Sequence, residues 1–302
     1  MPLEITRRDG RREALSGLID YAGLFPPASL AMDEAIAEYR RVRTGPHAWL
    51  VERFICPAGQ LLELAGLLSA TMTEDEEPWS LVVIARPTDA GLITDFEAEM
   101  SGGADVSVVE TMFPEGGDAA AVVALLEVFD AVVFFEVRWQ SGVAASLDVL
   151  AAVRESLGRA LGAKVRCGGL MPEAFPPPEA LAGFLVACRD RRIPVKATAG
   201  LHHPIRRVDP ATGFTHHGFI NLLAATALAY QGEREAVLAD VLAEHDGGAF
   251  TLDARGLTWR SHSVDAATLG GVRRDLFVGY GSCSFDEPVA DLADLGMFPG
   301  PS

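Results

Sequence analysis

Cysteine is scarce in this sequence. The chain of 302 residues holds four, Cys56, Cys167, Cys188 and Cys283, far apart and with no Cys-x-x-Cys pair. That spacing argues against a disulfide framework and a zinc knuckle and suits a reducing compartment, so a cytoplasmic protein is expected. Long apolar runs are missing too. The nearest, "AAAVVALLEVFDAVVFFEV", is interrupted by Glu127, Asp130 and Glu136. Nothing reaches the ~18–20 apolar residues of a membrane helix, so no membrane association is expected. The opening "MPLEITRRDGRREALSGLIDYAG" has charges but no apolar core of ~7–15 residues, and reads as no signal peptide. Basic residues are few: 25 Lys and Arg against 42 Asp and Glu leave a net charge of −17. Such a surface repels phosphate backbones and argues against nucleic-acid binding. No Gly-x-Gly-x-x-Gly follows the first apolar run, which weakens a dinucleotide-binding reading.

What is present is a rhythm. The chain is 49% hydrophobic, enough for a large core. Short β-rich runs alternate with amphipathic helical runs. Strands are expected at Leu18–Phe25, Trp49–Cys56, Ser80–Arg86, Asp105–Thr111, Ala131–Arg138, Ala163–Cys167, Ile193–Thr198 and Leu276–Gly279. Between them, stretches such as "SLAMDEAIAEYRRVR" and "VAASLDVLAAVRESLGRAL" carry apolar residues three and four apart. Ser29, Thr88 and Asp118 are candidate helix N-caps. Eight βα units with apolar strand centres predict a parallel sheet closed as a single (β/α)8 TIM barrel, residues 1–302, with a doubly wound open sheet as the alternative. Residues 233–275 break the rhythm. There a helix is followed by "AFTLDARGLTWRSHSV", which reads as two strands around a turn at Asp253–Gly256, a β-hairpin inserted before the last strand. It either covers a barrel end or an oligomer surface, leaving a homo-oligomer open, or closes over the site.

In a barrel, chemistry sits at the C-terminal strand ends, and inward positions alternate along each strand. Charged residues late in apolar strands are therefore informative. The sequence has Asp20 in strand one, Glu52 and Arg53 in strand two, Arg86 ending strand three and Glu110 ending strand four. Glu136 and Arg138 share parity in strand five, Lys164 and Arg166 in strand six, and Lys196 lies in strand seven. A single such charge is usually solvated. Several converging on one end must pair around a polar cavity, because unpaired buried charge is costly. That predicts an enzyme for a small-molecule substrate: Glu110, Glu136 and Asp20 as acid/base groups, Arg86 and Arg166 as an anion clamp, and Arg53, Arg138, Thr198, His202 and Ser282 as further substrate contacts.

Lys196 has two readings. It either pairs with Glu136 or Glu110 structurally, or serves as an amine nucleophile or electrostatic catalyst toward a carbonyl. "PVKATAG" (Pro194–Gly200) resembles the strand-seven stretch of the deoxyribose-phosphate aldolase group of class I aldolases, where a lysine follows valine and precedes a small residue and glycine. The resemblance is confined to that stretch. It implies Schiff-base chemistry, formed in that family on a strand-six lysine and tuned by the strand-seven lysine. The matching strand-six position reads here as Arg166, which is no nucleophile, with Lys164 deeper. On this reading Lys196 carries the imine.

Histidines supply the rival. His202, His203, His216 and His217 flank a loop, "PIRRVDPATGFT", longer than the ~2–6 residues of an ordinary βα connection. His202 and His203 with Glu110 and Glu136 are candidate ligands for Zn, Mn or Fe, although no His-x-His or His-Glu-x-x-His spacing occurs. Tyr21 is a candidate proton donor or a packed aromatic. Cys283 and Cys167 are candidate thiols near the same end. Gly281, Ser282 and Ser284 suit a close anion approach, which Asp286 and Glu287 oppose. The expectation is thus a lyase, aldolase or isomerase acting on a small anionic or hydroxylated carbonyl compound, requiring no cofactor. The alternatives are a divalent-metal isomerase or hydrolase and a non-catalytic ligand-binding or scaffold barrel.

Overall fold

The computed structural model describes residues 8–298. Eight parallel strands close into a barrel: β1 (Ile19–Tyr21), β2 (Val51–Pro57), β3 (Trp79–Ile84), β4 (Ala104–Met112), β5 (Val132–Glu136), β6 (Leu161–Arg166), β7 (Val195–Thr198) and β8 (Phe277–Ser282), with β8 pairing back onto β1. Helices separate the strands in sequence, so the alternating βα pattern resolves as a TIM barrel. Among the described residues no helix is long and apolar enough to cross a membrane.

The barrel encloses one core and is wrapped by another. Outward residues such as Leu81, Val83, Phe135 and Val165 join the helices in the main apolar cluster. Ala22, Ile55, Val82, Val108 and Phe134 form a separate cluster inside the barrel. Phe134 fits there because its neighbour on β6 is Gly162. A Cβ at Gly162 would lie 2.6 Å from Phe134 Cδ1 and 2.7 Å from the Pro194 carbonyl oxygen. Gly162→Ala is therefore expected to destabilise by ~1–3 kcal/mol through overpacking. A chemical-denaturation midpoint equal to the wild type would refute this.

Three local expectations change. β1 is shorter than Leu18–Phe25, because the chain turns directly after Ala22: Phe25 N–H donates back to the Ala22 carbonyl at 2.9 Å. Asp118 caps the helix Ala119–Val128 through Ala121 N–H at 3.0 Å, but Ser29 and Thr88 cap nothing, Ala31 and Asp89 holding those positions. The insertion is a three-stranded antiparallel sheet, Phe250–Asp253, Gly256–Trp259 and His262–Asp265, rather than a two-stranded hairpin. The second turn falls at Arg260–Ser261, where Arg260 takes φ 51°, the left-handed conformation that two-residue hairpin loops require.

This sheet lies at the end of the barrel away from the strand C-termini. Helix Gly10–Leu15 leads into β1 and so sits at the N-terminal mouth. Its Gly10 N–H donates to the Ala254 carbonyl at 2.9 Å. A Cβ on Gly10 would come within 2.6 Å of Gly256 Cα, so the sheet is pressed directly onto that helix. The insertion covers the bottom of the barrel and does not close over the strand ends.

Candidate active site

Above the inner apolar cluster the barrel carries a layer of charge. Alternation places Glu110 two residues beyond Val108, Glu136 two beyond Phe134 and Lys164 two beyond Gly162, all pointing inward. Strand register then sets Glu136, Lys164 and Lys196 side by side across β5, β6 and β7. The side chains form one alternating series. Asp20 Oδ2 accepts from Lys196 Nζ at 2.5 Å. Lys196 Nζ also reaches Glu110 Oε1 at 2.9 Å. The other oxygen of Glu110 accepts from Lys164 Nζ at 2.9 Å, and Lys164 Nζ reaches Glu136 Oε2 at 2.9 Å. Asp20, Glu110, Lys164 and Lys196 are all buried. The ammonium of Lys196 rests 5.6 Å from the Phe134 ring centroid, so the apolar cluster is its floor.

Burial and pairing pull the ionisations in opposite directions. Burial alone would raise the carboxyl of Glu110, but the two lysine ammonium groups outweigh it and hold Glu110 down at about 2. Burial would lower both lysines. For Lys196 it is overcome by Asp20 and Glu110, and for Lys164 by Glu110 and Glu136, so both amines sit above the ordinary lysine range. Glu110 and the two lysines therefore rest charged, the Glu110 carboxylate lying between both ammonium groups.

A cavity of about 980 Å³ opens over the C-terminal ends of β2 to β6. Lys164, Glu110 and Glu136 line it, while Lys196 and Asp20 do not. Its rim carries Arg86 and Arg138. Arg86 extends into solvent, 3.6 Å from Asp89.

The expected site residues thus divide. Glu110, Glu136, Lys196 and Asp20 are brought together, and Arg86 and Arg138 stand nearby. Arg53 is not at the strand ends. As the third residue of β2 it lies low in the barrel, lines a separate recess beside Arg12 and Arg273, and approaches Asp20 only at 3.5 Å. Arg166 does not line the cavity; its Nε donates to the Gly168 carbonyl at 2.9 Å. Register also corrects the strand-six match: Lys164 stands level with Lys196, and Arg166 stands level with Thr198. Ser282 is buried, and its hydroxyl donates to the Ser284 carbonyl at 2.6 Å, closing its own loop.

The histidines are held elsewhere. His203 Nδ1 pairs with Asp291 Oδ2 at 2.6 Å. His202 packs 3.8 Å from the Cys283 sulfur and 3.6 Å from Glu287. His216 packs on Phe175, ring centroids 4.7 Å apart. His217 Nε2 lies 2.7 Å from the Pro176 carbonyl, and burial pushes its pKa down to about 4. The loop is pinned by a short pairing of Arg207–Val208 with Thr215–His216. Among the described residues no three His, Cys, Asp or Glu side chains converge as a metal-ligand set, so His202, His203, Glu110 and Glu136 are not assembled into one. Tyr21 points outward, stacked on Tyr39 at 5.9 Å, and is a packed aromatic. Burial pushes the Cys167 thiol up to about 12 and raises Cys283, which suits packing rather than a thiolate.

Sequence reading passed over one signal. Lys164 and Lys196 are the only lysines in the chain; the other 23 of the 25 basic residues are arginine. Every ordinary surface or helix-end cation is thus an arginine, and lysine appears only side by side inside the barrel. A guanidinium stays charged, whereas an amine can lose its proton. Ile84 and Met112, apolar residues lining the cavity at strand ends, were likewise not anticipated. Compared with protein-family models and with curated proteins, the chain matches none, so its site rests on its own residues.

Proposed function

We propose that this barrel is a lyase of the aldolase type in which the Lys164 amine forms an imine with a carbonyl substrate. The observation that carries the reading is that the chain's only two lysines stand side by side and one of them, Lys164, faces the cavity between two carboxylates. The pairing is similar to that of the deoxyribose-phosphate aldolase group, with a strand-six lysine beside a strand-seven lysine. This moves the nucleophile from Lys196 to Lys164 and makes Lys196, held by Asp20, a positioning residue.

The raised lysine pKa sets the first step. Lys164 must pass a proton to Glu136 before it can attack. A substrate that expels water from the cavity favours this transfer, because an ion pair loses more solvation than a neutral amine and acid. The free amine adds to the carbonyl carbon, and the proton held on Glu136 goes to the carbinolamine oxygen, which leaves as water. The resulting iminium cation sits between Glu110 and Glu136 carboxylates. It accepts the electron pair of the adjacent carbon–carbon bond as that bond breaks, while a carboxylate takes the proton of the hydroxyl that becomes a carbonyl. Arg86 and Arg138 at the rim suit an anionic end of the substrate.

The alternative is a barrel that binds an anionic ligand without chemistry, and the raised pKa of both lysines, which keeps the amines protonated, favours it. Incubation with small aldehydes and α-keto acids under borohydride, followed by peptide mass mapping, separates the two. The expected result is a reduced adduct on Lys164 that vanishes in Lys164→Met. No adduct with any of these carbonyls, or one that persists in Lys164→Met, refutes the imine.

A further inference from the structure

We infer that the substrate carries a hydrocarbon tail, which lies in an apolar arm of the same cavity; this rests on the Lys164 reading and specifies its substrate class. Charge lines only part of the cavity: Lys164, Glu110 and Glu136 inside, and Arg86, Asp89, Glu115 and Arg138 at the rim. Beside the inner charges stand Ile84, paired in register with Glu110, and Met112, paired with Glu136. Alternation turns both inward at the last positions of β3 and β4, two residues beyond Val82 and Glu110. They are 37% and 47% exposed, large apolar side chains with one face left open to the cavity. On the other side of the barrel the corresponding strand-end positions are Arg166 and Thr198, both polar.

From there the cavity runs outward over the ends of β4 and β5. It reaches Leu125 on the helix Ala119–Val128 and Ala145 and Val149 on the helix Val143–Leu157. Ser141 and Ser146 also line this stretch, but a small, heavily hydroxylated compound would leave its apolar side chains, Leu125 and Val149 among them, wet. At about 980 Å³ the space is also far larger than a three- or four-carbon substrate needs, and lies at the upper end of the ~300–1,000 Å³ typical of pockets for drug-sized ligands. A carbonyl compound with a polar or anionic head and an alkyl or aryl tail matches both halves: the carbonyl at Lys164, the tail across Ile84 and Met112 toward Leu125 and Val149.

The test titrates straight-chain α-keto acids, lengthened from pyruvate one methylene at a time, into the protein by calorimetry, with borohydride trapping run in parallel. The dissociation constant is expected to fall about fourfold for each methylene that enters the arm. In the double variant Ile84→Ser, Met112→Ser, whose side chains are already partly exposed, the series is expected to flatten. Affinity independent of chain length, or falling with it, overturns the tail. The same slope in wild type and double variant overturns its placement across Ile84 and Met112. Trapping on Lys164 with a flat series leaves the imine standing and removes the tail. Chain-length dependence without any trapped adduct keeps the tail and removes the imine.

Discussion

Lys196→Met is expected to cost ~3–5 kcal/mol of folding stability at neutral pH, the scale for removing one partner from a buried ion pair. For a domain whose whole stability is ~5–15 kcal/mol, that is a large share. The size follows from what is left behind. Methionine fills much of the lysine volume over Phe134, but Asp20 loses its close partner at 2.5 Å, keeping only Arg53 at 3.5 Å, and Glu110 loses one of its two at 2.9 Å. Both carboxylates stay buried. The pH dependence gives the claim a sign. Glu110 is depressed in the folded protein, from an ordinary 4.5 to about 2. Its contribution is therefore complete above about pH 4.5 and is lost as pH falls toward 2. In Lys196→Met that depression is weakened, so the gap between variant and wild type should be widest above pH 4.5 and narrow toward pH 2. Denaturant unfolding across that range reads it. A gap under about 1 kcal/mol at pH 7, or one that widens in acid, would show that the charges are solvated rather than paired in the barrel.

The barrel was legible because its signal is repeated. Eight apolar runs, each followed by a helical run, leave few ways to bury both faces of the strands, and errors in single boundaries do not disturb that count. What escaped was local. The second turn of the inserted sheet depends on Arg260 adopting positive φ, which its residue type does not announce. The short β1 reflects a backbone turn at Ala22–Phe25 inside a stretch that reads as β-rich.

The site was legible as a set of charges and illegible as a geometry. Late charges in consecutive strands pointed correctly to Asp20, Glu110, Glu136 and Lys196 converging. Parity alone does not give height in the barrel. Strand tilt makes Lys164, not Arg166, the neighbour of Lys196, and leaves Arg53 below the layer. The clustered histidines drew attention by proximity in sequence, yet the structure fixes His203 to Asp291 and His217 to Pro176. The more telling signal was compositional, a chain that uses lysine twice and arginine everywhere else. On the proposed imine reading, that amine is used for its proton chemistry as well as its charge.

Glu136→Gln puts that point to its sharpest test, because two effects of Glu136 on Lys164 have opposite consequences. The carboxylate lies 2.9 Å from Lys164 Nζ and helps, with Glu110, to hold the amine protonated against burial. If that were its only effect, glutamine would lower the lysine pKa, enlarge the free-amine fraction at neutral pH and speed imine formation. If Glu136 is also the group that takes the lysine proton and returns it to the carbinolamine oxygen, the maximal rate must fall, by about 10²–10⁴-fold for loss of a general acid–base. The expected outcome combines both: a rate plateau lower by that factor, and an alkaline rise shifted to lower pH. Borohydride-quenched time courses at several pH values measure the two separately. A variant that reacts faster than wild type at neutral pH, with an unchanged plateau, would reduce Glu136 to a structural counter-ion. A lower plateau with adduct still on Lys164 would identify it as the proton carrier, leaving Glu110, lodged between both lysines, as the fixed anion that holds the iminium.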